Sequence, residues 1–242
     1  MALAERRLES EWLDVLPAGD PRALRSRRDL RLVNVLMGHH GILWRNLRDM
    51  MGPDVPRRIV ELGAGDGTLL LSAARKLAGA WPDTVVELVD RQDLVRPDTR
   101  AAFGQLGWRV ECVSADLLSW AKQNQGGRAD IMFANLVLHH FEPAALRELF
   151  SMIAGSTHRF IAIEPRRSWP ALGGGRALGL LGCNDVTRHD AVVSVRAGFT
   201  GAELSRLWPE GDGWVLMERP AGLFSHLFLA RRPATGIHEG QR

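Results

Sequence analysis

Four groups of residues in this chain have the types and spacing to do chemistry. The first is the turn "VELGAGDGT", where Glu61 is followed by Gly63, Gly65 and Gly67. Glycine at alternate positions supplies tight φ/ψ and lets backbone come close to a ligand. The third glycine comes two residues after the second, where a dinucleotide turn G-x-G-x-x-G needs about three. A carboxylate at Glu61 would repel a pyrophosphate and suits a cationic group. The second group is acidic. Asp90 closes "VELVD" 25 residues after Gly65, and an acid there can accept both hydroxyls of a ribose. Asp116 follows in "CVSADLL". The third group is His139 and His140 in "NLVLHHF", and the fourth is Arg188, His189 and Asp190 in "NDVTRHD". A histidine beside a hydroxyl can remove its proton. Adjacent histidines share no strand face and do not face each other on a helix, so at most one of His139 and His140 is expected to point at a reacting atom. The same geometry argues against their sharing a metal, and no metal site is expected. Arg188, His189 and Asp190 have the charges to orient a polar or anionic substrate.

Positioning these groups needs an alternating chain. "RRIVEL", "DTVVELVD", "WRVECVSAD", "RADIMFANLVL" and "HRFIAIEP" read as five strands. Between them "GTLLLSAARKLAGAW", "RPDTRAAFGQLG", "LLSWAKQNQ" and "EPAALRELFSMIAG" have helical spacing, with Pro143 suited to a first turn. This rhythm predicts an α/β fold with a doubly wound parallel sheet. After Pro165 the rhythm breaks into a long irregular, Gly-rich segment that contains "NDVTRHD". Thr200 and Glu203 form a capping box that predicts a helix over "GAELSRLW". "GWVLMER" and "LFSHLFLARR", joined by "PAG", fit an antiparallel pair. The first 50 residues read as helices. "RRDLRLVNVLMGHHGILWRNLRDMM" is the clearest, with His39 and His40 at a helix end. The last ten residues read as a flexible tail.

Composition bounds the reading. The 242 residues suffice for one well-buried domain, and 45% apolar with 24% charged residues is ordinary for a soluble globular protein. No apolar run is long enough for a membrane span, and the start of the chain has no signal-peptide h-region. Cys112 and Cys183 are too few for a disulfide framework or zinc cluster, so a cytoplasmic location is expected. The net charge is +3, yet residues 1–55 carry nine arginines against eight acids. That is a mixed surface rather than a phosphate-tracking stripe, which argues against a nucleic-acid partner.

In this order and spacing, "VELGAGDGT", "VELVD", "SADLL" and "DIMFANLVLHHF" resemble the class I S-adenosylmethionine-dependent methyltransferases of the small-molecule type. The resemblance covers roughly residues 56–231. It implies a Rossmann-like seven-stranded sheet, mostly parallel with an antiparallel strand near the C-terminus, plus N-terminal helices. It divides the chain into a helical cap or lid (1–55), a methyltransferase domain (56–232) and a tail (233–242). It implies that Glu61, Gly63, Ala64, Gly65 and Gly67 hold the methionine portion of S-adenosyl-L-methionine. Asp90 then binds the ribose with Arg91 beside the adenine, Asp116 and Leu117 frame the base, and Asn135 and Leu136 line the sulfonium end. The implied activity is methylation of a small-molecule acceptor, O-directed, as on a secondary metabolite, by a monomer or homodimer away from membranes. The alternatives are RNA or protein methylation and a non-catalytic cofactor-binding protein. "NLVL" stands where amino-methylating DNA enzymes of this fold carry N-P-P-Y/F, which argues against a nucleobase amine. An oxidoreductase with a Tyr-x-x-x-Lys pair is removed, because the chain has no tyrosine. The methyl of a sulfonium is already electrophilic, so the protein must align a nucleophile, exclude water and take a proton. His139, His140 and His189 are the catalytic candidates.

Overall fold

Short apolar runs, each closed by a turn residue or an acid, pair into one sheet. A computed structural model describes residues 3, 5–17, 19–211 and 213–232. The strands are β1 (Arg58–Leu62), β2 (Val85–Asp90), β3 (Arg109–Ser114), β4 (Ile131–Asn135), β5 (Arg159–Pro165), β6 (Val215–Ala221) and β7 (Ser225–Arg231). They lie in the order β3-β2-β1-β4-β5-β7-β6. β1 to β5 are parallel, and β7 runs antiparallel to both β5 and β6. β3 and β6 are the edges, and β6 carries Pro220, a residue tolerated only where no ladder bond is needed.

The helices are α1 (Trp12–Val15), α2 (Pro21–Leu36), α3 (His39–Met51), α4 (Thr68–Leu77), α5 (Pro97–Gln105), α6 (Leu117–Gln123), α7 (Pro143–Ser156), α8 (Trp169–Ala177) and α9 (Asp185–Ala197). The central strands are buried on both faces, so alternate residues feed two cores. Ile59, Ile131, Phe133, Ile161 and Ile163 pack with Leu43 and Leu47 of α3 and Leu70 of α4. Val60, Met132, Ala134, Phe160 and Phe228 pack with Leu146 and Phe150 of α7. Trp208 closes this second core, 5.1 Å from the Phe150 ring and 5.5 Å from that of Phe160. α3 therefore belongs to the body of the fold, although it lies within residues 1–55.

Four local expectations are corrected. The N-terminal helical run is two helices, broken at Met37 and Gly38, where Gly38 has φ +72°. His39 and His40 begin α3 rather than end a helix. The segment after Pro165 is not irregular: it holds α8, a 3-10 turn over Leu178–Leu181, and α9, whose N-cap Asn184 accepts from Thr187 N. Sequence periodicity missed α8 because "GGG" lies inside it, three poor helix formers that tertiary packing overrides. Conversely, "GAELSRLW" forms turns rather than a regular helix. Glu203 does accept from Thr200 N at 3.0 Å, as a capping box requires. The amides of Leu204 and Ser205, however, donate to the Glu218 carboxylate of β6, and Pro209 stops the coil one turn later. The tail, residues 233–242, lies outside the described residues.

Candidate functional site

In an open parallel sheet, ligands bind beyond the C-terminal ends of the strands where the strand order reverses. Here that point lies between β1 and β4, so the glycine turn after β1 and the segment after β4 face one another. A cavity of about 1050 Å³ opens there. Glu61, Gly63, Ala64, Gly65, Asp90, Arg91, Asp116, Leu117, Asn135, Leu136, His139, His140 and Asp190 all line it. Gly67, Arg188 and His189 do not.

The turn is built for close approach. Gly65 has φ +54°, and a Cβ added there meets nothing within 4 Å, so its open side is the cavity. At Gly63 (φ +72°) a Cβ would stand 2.7 Å from the Val137 side chain, which ties the turn to the segment after β4. Asp90 holds the turn's shape by accepting from Gly65 N at 2.9 Å and, through its other oxygen, from Gln92 N at 3.0 Å. Asp116 caps α6 by accepting from Ser119 N at 3.1 Å. Glu61 is 2% exposed, and its Oε2 has no hydrogen-bond partner. Burial, then the charges of Asp66 and Asp90, push its pKa well above the usual carboxylate value. An orphaned carboxylate oxygen against a glycine turn suits an ammonium-bearing ligand. Asn135 likewise has an unpartnered Oδ1, and the next residue, Leu136, takes φ +53°, a strained conformation for a leucine.

The segment after β4 then forms a 3-10 turn over Leu138–His140. Contrary to the reading from strand and α-helix geometry, this turn sets both imidazoles side by side, ring centroids 4.3 Å apart. Glu164 of β5, fully buried, organises the pair. Its Oε1 accepts from Val137 N (3.1 Å) and Leu138 N (2.8 Å), while its Oε2 is 2.7 Å from His139 Nδ1. On the other side His139 Nε2 lies 3.3 Å from Glu11 Oε1. Burial alone would lower the His139 pKa, but the hydrogen bonds and charges of Glu11 and Glu164 raise it to about 9. Both carboxylates are held below their usual values: burial works against this, and the His139 contact outweighs it. His140 is 28% exposed, 3.5 Å from Asp14 and 4.0 Å from Glu11. Burial, then the charge of His139, lower its pKa.

The N-terminal residues cover the cavity. Arg31 of α2 reaches Asp66 in the glycine turn at 2.5 Å, and Arg91 pairs with Asp14 at 2.6 Å. Arg6 donates to the carbonyls of Ala197, His139 and Phe141. Asp190 receives the amides of Trp12 and Leu13 at 2.8 and 3.0 Å, so it anchors this cover to α9. Burial raises its pKa. His189 is also part of the anchor, stacked on Trp12 at 4.0 Å. Arg188 lies exposed on α9.

His39, at the start of α3, is buried with both nitrogens engaged, by Asn34 Oδ1 at 3.0 Å and Ser225 Oγ at 2.8 Å. Asn34 in turn accepts from Asn135 Nδ2 at 3.3 Å, so His39 helps aim a cavity residue. Burial pulls the His39 pKa down to about 4. The unfolded chain takes that proton near 6.5 and the folded one does not. The stability is therefore full above about pH 6.5 and falls by about 3 kcal/mol as the pH drops to about 4. Urea melts at pH 7.5 and 4.5 test this. Parental protein is expected to lose more stability than His39→Gln, and equal losses would refute it.

No family model matches the sequence. Curated relatives are trans-aconitate 2-methyltransferases. That of Mycobacterium tuberculosis is 30% identical over 102 residues, 42% of this chain and 34% of that protein. That of Mycobacterium sp. strain KMS is 31% identical over 100 residues, again 34% of its length. The match thus takes in about a third of the curated relatives. Among solved structures, an O-methyltransferase family protein from Burkholderia thailandensis superposes with TM-score 0.59 and 23% identity, over 90% of this chain and 62% of that one. Mitomycin 7-O-methyltransferase superposes with TM-score 0.59 and 20% identity, over 92% and 61%.

The chain has the class I methyltransferase fold. Within this methyltransferase fold, sequence reasoning found the turn, Asp90 and the histidine pair but missed Glu164 and Glu11. Glu164 had a signal, since it closes an apolar strand just as Glu61 and Asp90 do. Glu11 had none, because it sits in a polar stretch far from any motif.

Proposed function

We propose that this chain is an S-adenosylmethionine-dependent methyltransferase that methylates a hydroxyl of a small acceptor. The observation that carries the reading is Glu61, a buried carboxylate with an orphaned oxygen beside a glycine turn at the switch point. The residues fit the cofactor: Glu61 with Gly63, Ala64 and Gly65 for the methionine end, Asp90 for the ribose, Arg91, Asp116 and Leu117 around the base. The two Asp90 oxygens each hold one backbone amide, and a carboxylate has about four acceptor positions, so two remain for hydroxyls. When bound, the cofactor supplies a methyl group on a positively charged sulfur. Asn135 and Leu136 border that end. The helical cap excludes water; because α3 is in the core, the covering part is the segment that carries α1 and α2. His140, the more exposed imidazole of the cluster, receives the acceptor's proton.

The acceptor is neutral or cationic. Nine acids line the cavity against three arginines and His139; Arg31, Arg91 and His139 each already pair with one of these acids, and even with Glu61 and Asp190 pushed toward their neutral forms the acids outnumber the cations. Trans-aconitate, the acceptor named for the mycobacterial relatives, is a polycarboxylate that such a wall repels. Leu8, Leu30, Met37, Leu178 and Phe224 supply apolar contact.

Asp90→Ala tests the reading. Charge-assisted hydrogen bonds are worth about 1.5–3 kcal/mol, so S-adenosylhomocysteine affinity by calorimetry is expected to fall at least about tenfold. Asp90→Asn, which keeps one acceptor, should fall between the two. Unchanged affinity, or preference for NAD, would sink the proposal.

A further inference from the structure

We propose that Glu11, His139 and His140 form a binding site for a divalent cation of the manganese-to-zinc series, open to the acceptor side of the cavity. One ligand atom from each lies within 4.8 Å of the others. The 3.3 Å between His139 Nε2 and Glu11 Oε1 matches the edge of a coordination shell, since ligands about 2.0–2.1 Å from an ion stand about 3.3 Å apart.

The surroundings match those of a ligating histidine. Metal-bound imidazoles give their second N–H to a carboxylate that fixes tautomer and ring orientation. Glu164 stands in that place: its Oε2 takes His139 Nδ1–H at 2.7 Å, and its Oε1 is pinned by two backbone amides. The ring cannot swing, and Nε2 is aimed at Glu11. Asp14 Oδ2 lies 3.5 Å from His140 Nδ1 while Glu11 Oε2 lies 4.0 Å from Nε2, so Asp14 stands at the second nitrogen of His140 and outside the ligand set. Two imidazoles with carboxylate oxygen select borderline cations over calcium or magnesium. Three protein ligands leave coordination positions free, as in catalytic rather than structural sites.

Those free positions face the cavity. Resting on the methyltransferase reading, they would take the acceptor's hydroxyl oxygen. A hydroxyl bound to such an ion ionises near neutral pH and releases its proton to solvent, leaving the oxygen as nucleophile. Without the ion the same proton falls to His140. The N-terminal cover would then report on loading, because Glu11 is the N-cap residue of α1.

The probe is Co²⁺, added to chelator-stripped, full-length protein and followed by its visible absorption without any cofactor. One equivalent is expected to bind, with Zn²⁺ displacing it. Glu11→Gln and His140→Gln should each weaken binding at least tenfold, while His158→Gln should not, since His158 precedes β5 at the end away from the cavity, half-buried beside Arg232. Circular dichroism establishes that each variant is folded. Absence of a saturable spectrum, or parental affinity in both cluster variants, overturns the proposal. S-adenosylhomocysteine titration runs separately: saturable cobalt binding in a protein that fails to bind S-adenosylhomocysteine would refute the methyltransferase reading and leave the metal site standing, and S-adenosylhomocysteine binding with no saturable cobalt spectrum would do the opposite.

Discussion

His140→Gln is expected to cut single-turnover methyl transfer by roughly 10²–10⁴, the usual worth of a positioned proton acceptor. Affinity for S-adenosylhomocysteine should barely move, because none of the residues placed around the cofactor belongs to the 3-10 turn over Leu138–His140. The geometry behind this is specific. Glu164 and Glu11 occupy the two nitrogens of His139, whereas His140 keeps its nearest carboxylate at 3.5 Å and reaches the cavity. Glutamine keeps the size and polarity of the ring but neither accepts a proton at neutral pH nor ligates a cation well. His139→Gln should also lose turnover, with a melting loss as well, since removing one member of a buried charged cluster leaves the others unpaired at a cost of about 3–5 kcal/mol. His189→Gln is expected to keep near-parental turnover because its ring stacks on Trp12 outside the cavity. If all three variants keep parental rates, alignment and desolvation alone carry the chemistry. If only His189→Gln fails, the site is built from α9.

What the sequence made legible follows from how far each signal reaches. Strands buried on both faces read as continuous apolar runs, so β1, β2, β4 and β5 stand out without any partner known. Acids at strand ends and glycines in the following turn are local to a single βα unit, and the cavity residues from 61 to 136 were legible for that reason. The geometry of "LHH" was not, because its 3-10 turn is set by Glu164, a contact 25 residues away. Glu11 is further out of reach, meeting His139 across 128 positions. The cap over the cavity is held by Arg31–Asp66, Arg91–Asp14 and the Asp190 anchor, all side-chain contacts between segments that carry no mutual pattern. α8 and α9 were hidden by glycine and by polar residues whose helical role is decided by packing against each other and the cap.

Gly65→Val is expected to abolish measurable cofactor binding, a loss of at least about a hundredfold or 2.7 kcal/mol, while the protein stays folded. Valine costs something at this position whatever the ligand, since φ +54° is disfavoured for a β-branched residue by roughly 1–2 kcal/mol. That strain must be separated from occlusion. Gly107 provides the match: φ +77°, likewise with nothing within 4 Å of an added Cβ. It precedes β3, at the opposite end of the sheet from the turn, and lines no part of the cavity. Gly107→Val should therefore lower the melting temperature about as much as Gly65→Val and leave S-adenosylhomocysteine affinity unchanged. Gly63 is the wrong site for this test, because its Cβ would collide with Val137 at 2.7 Å and disturb the fold itself. Calorimetry alongside thermal melts reads both quantities. Should Gly65→Val bind normally, the turn does not touch the cofactor; should Gly107→Val lose binding equally, general destabilisation and not a blocked approach explains the effect.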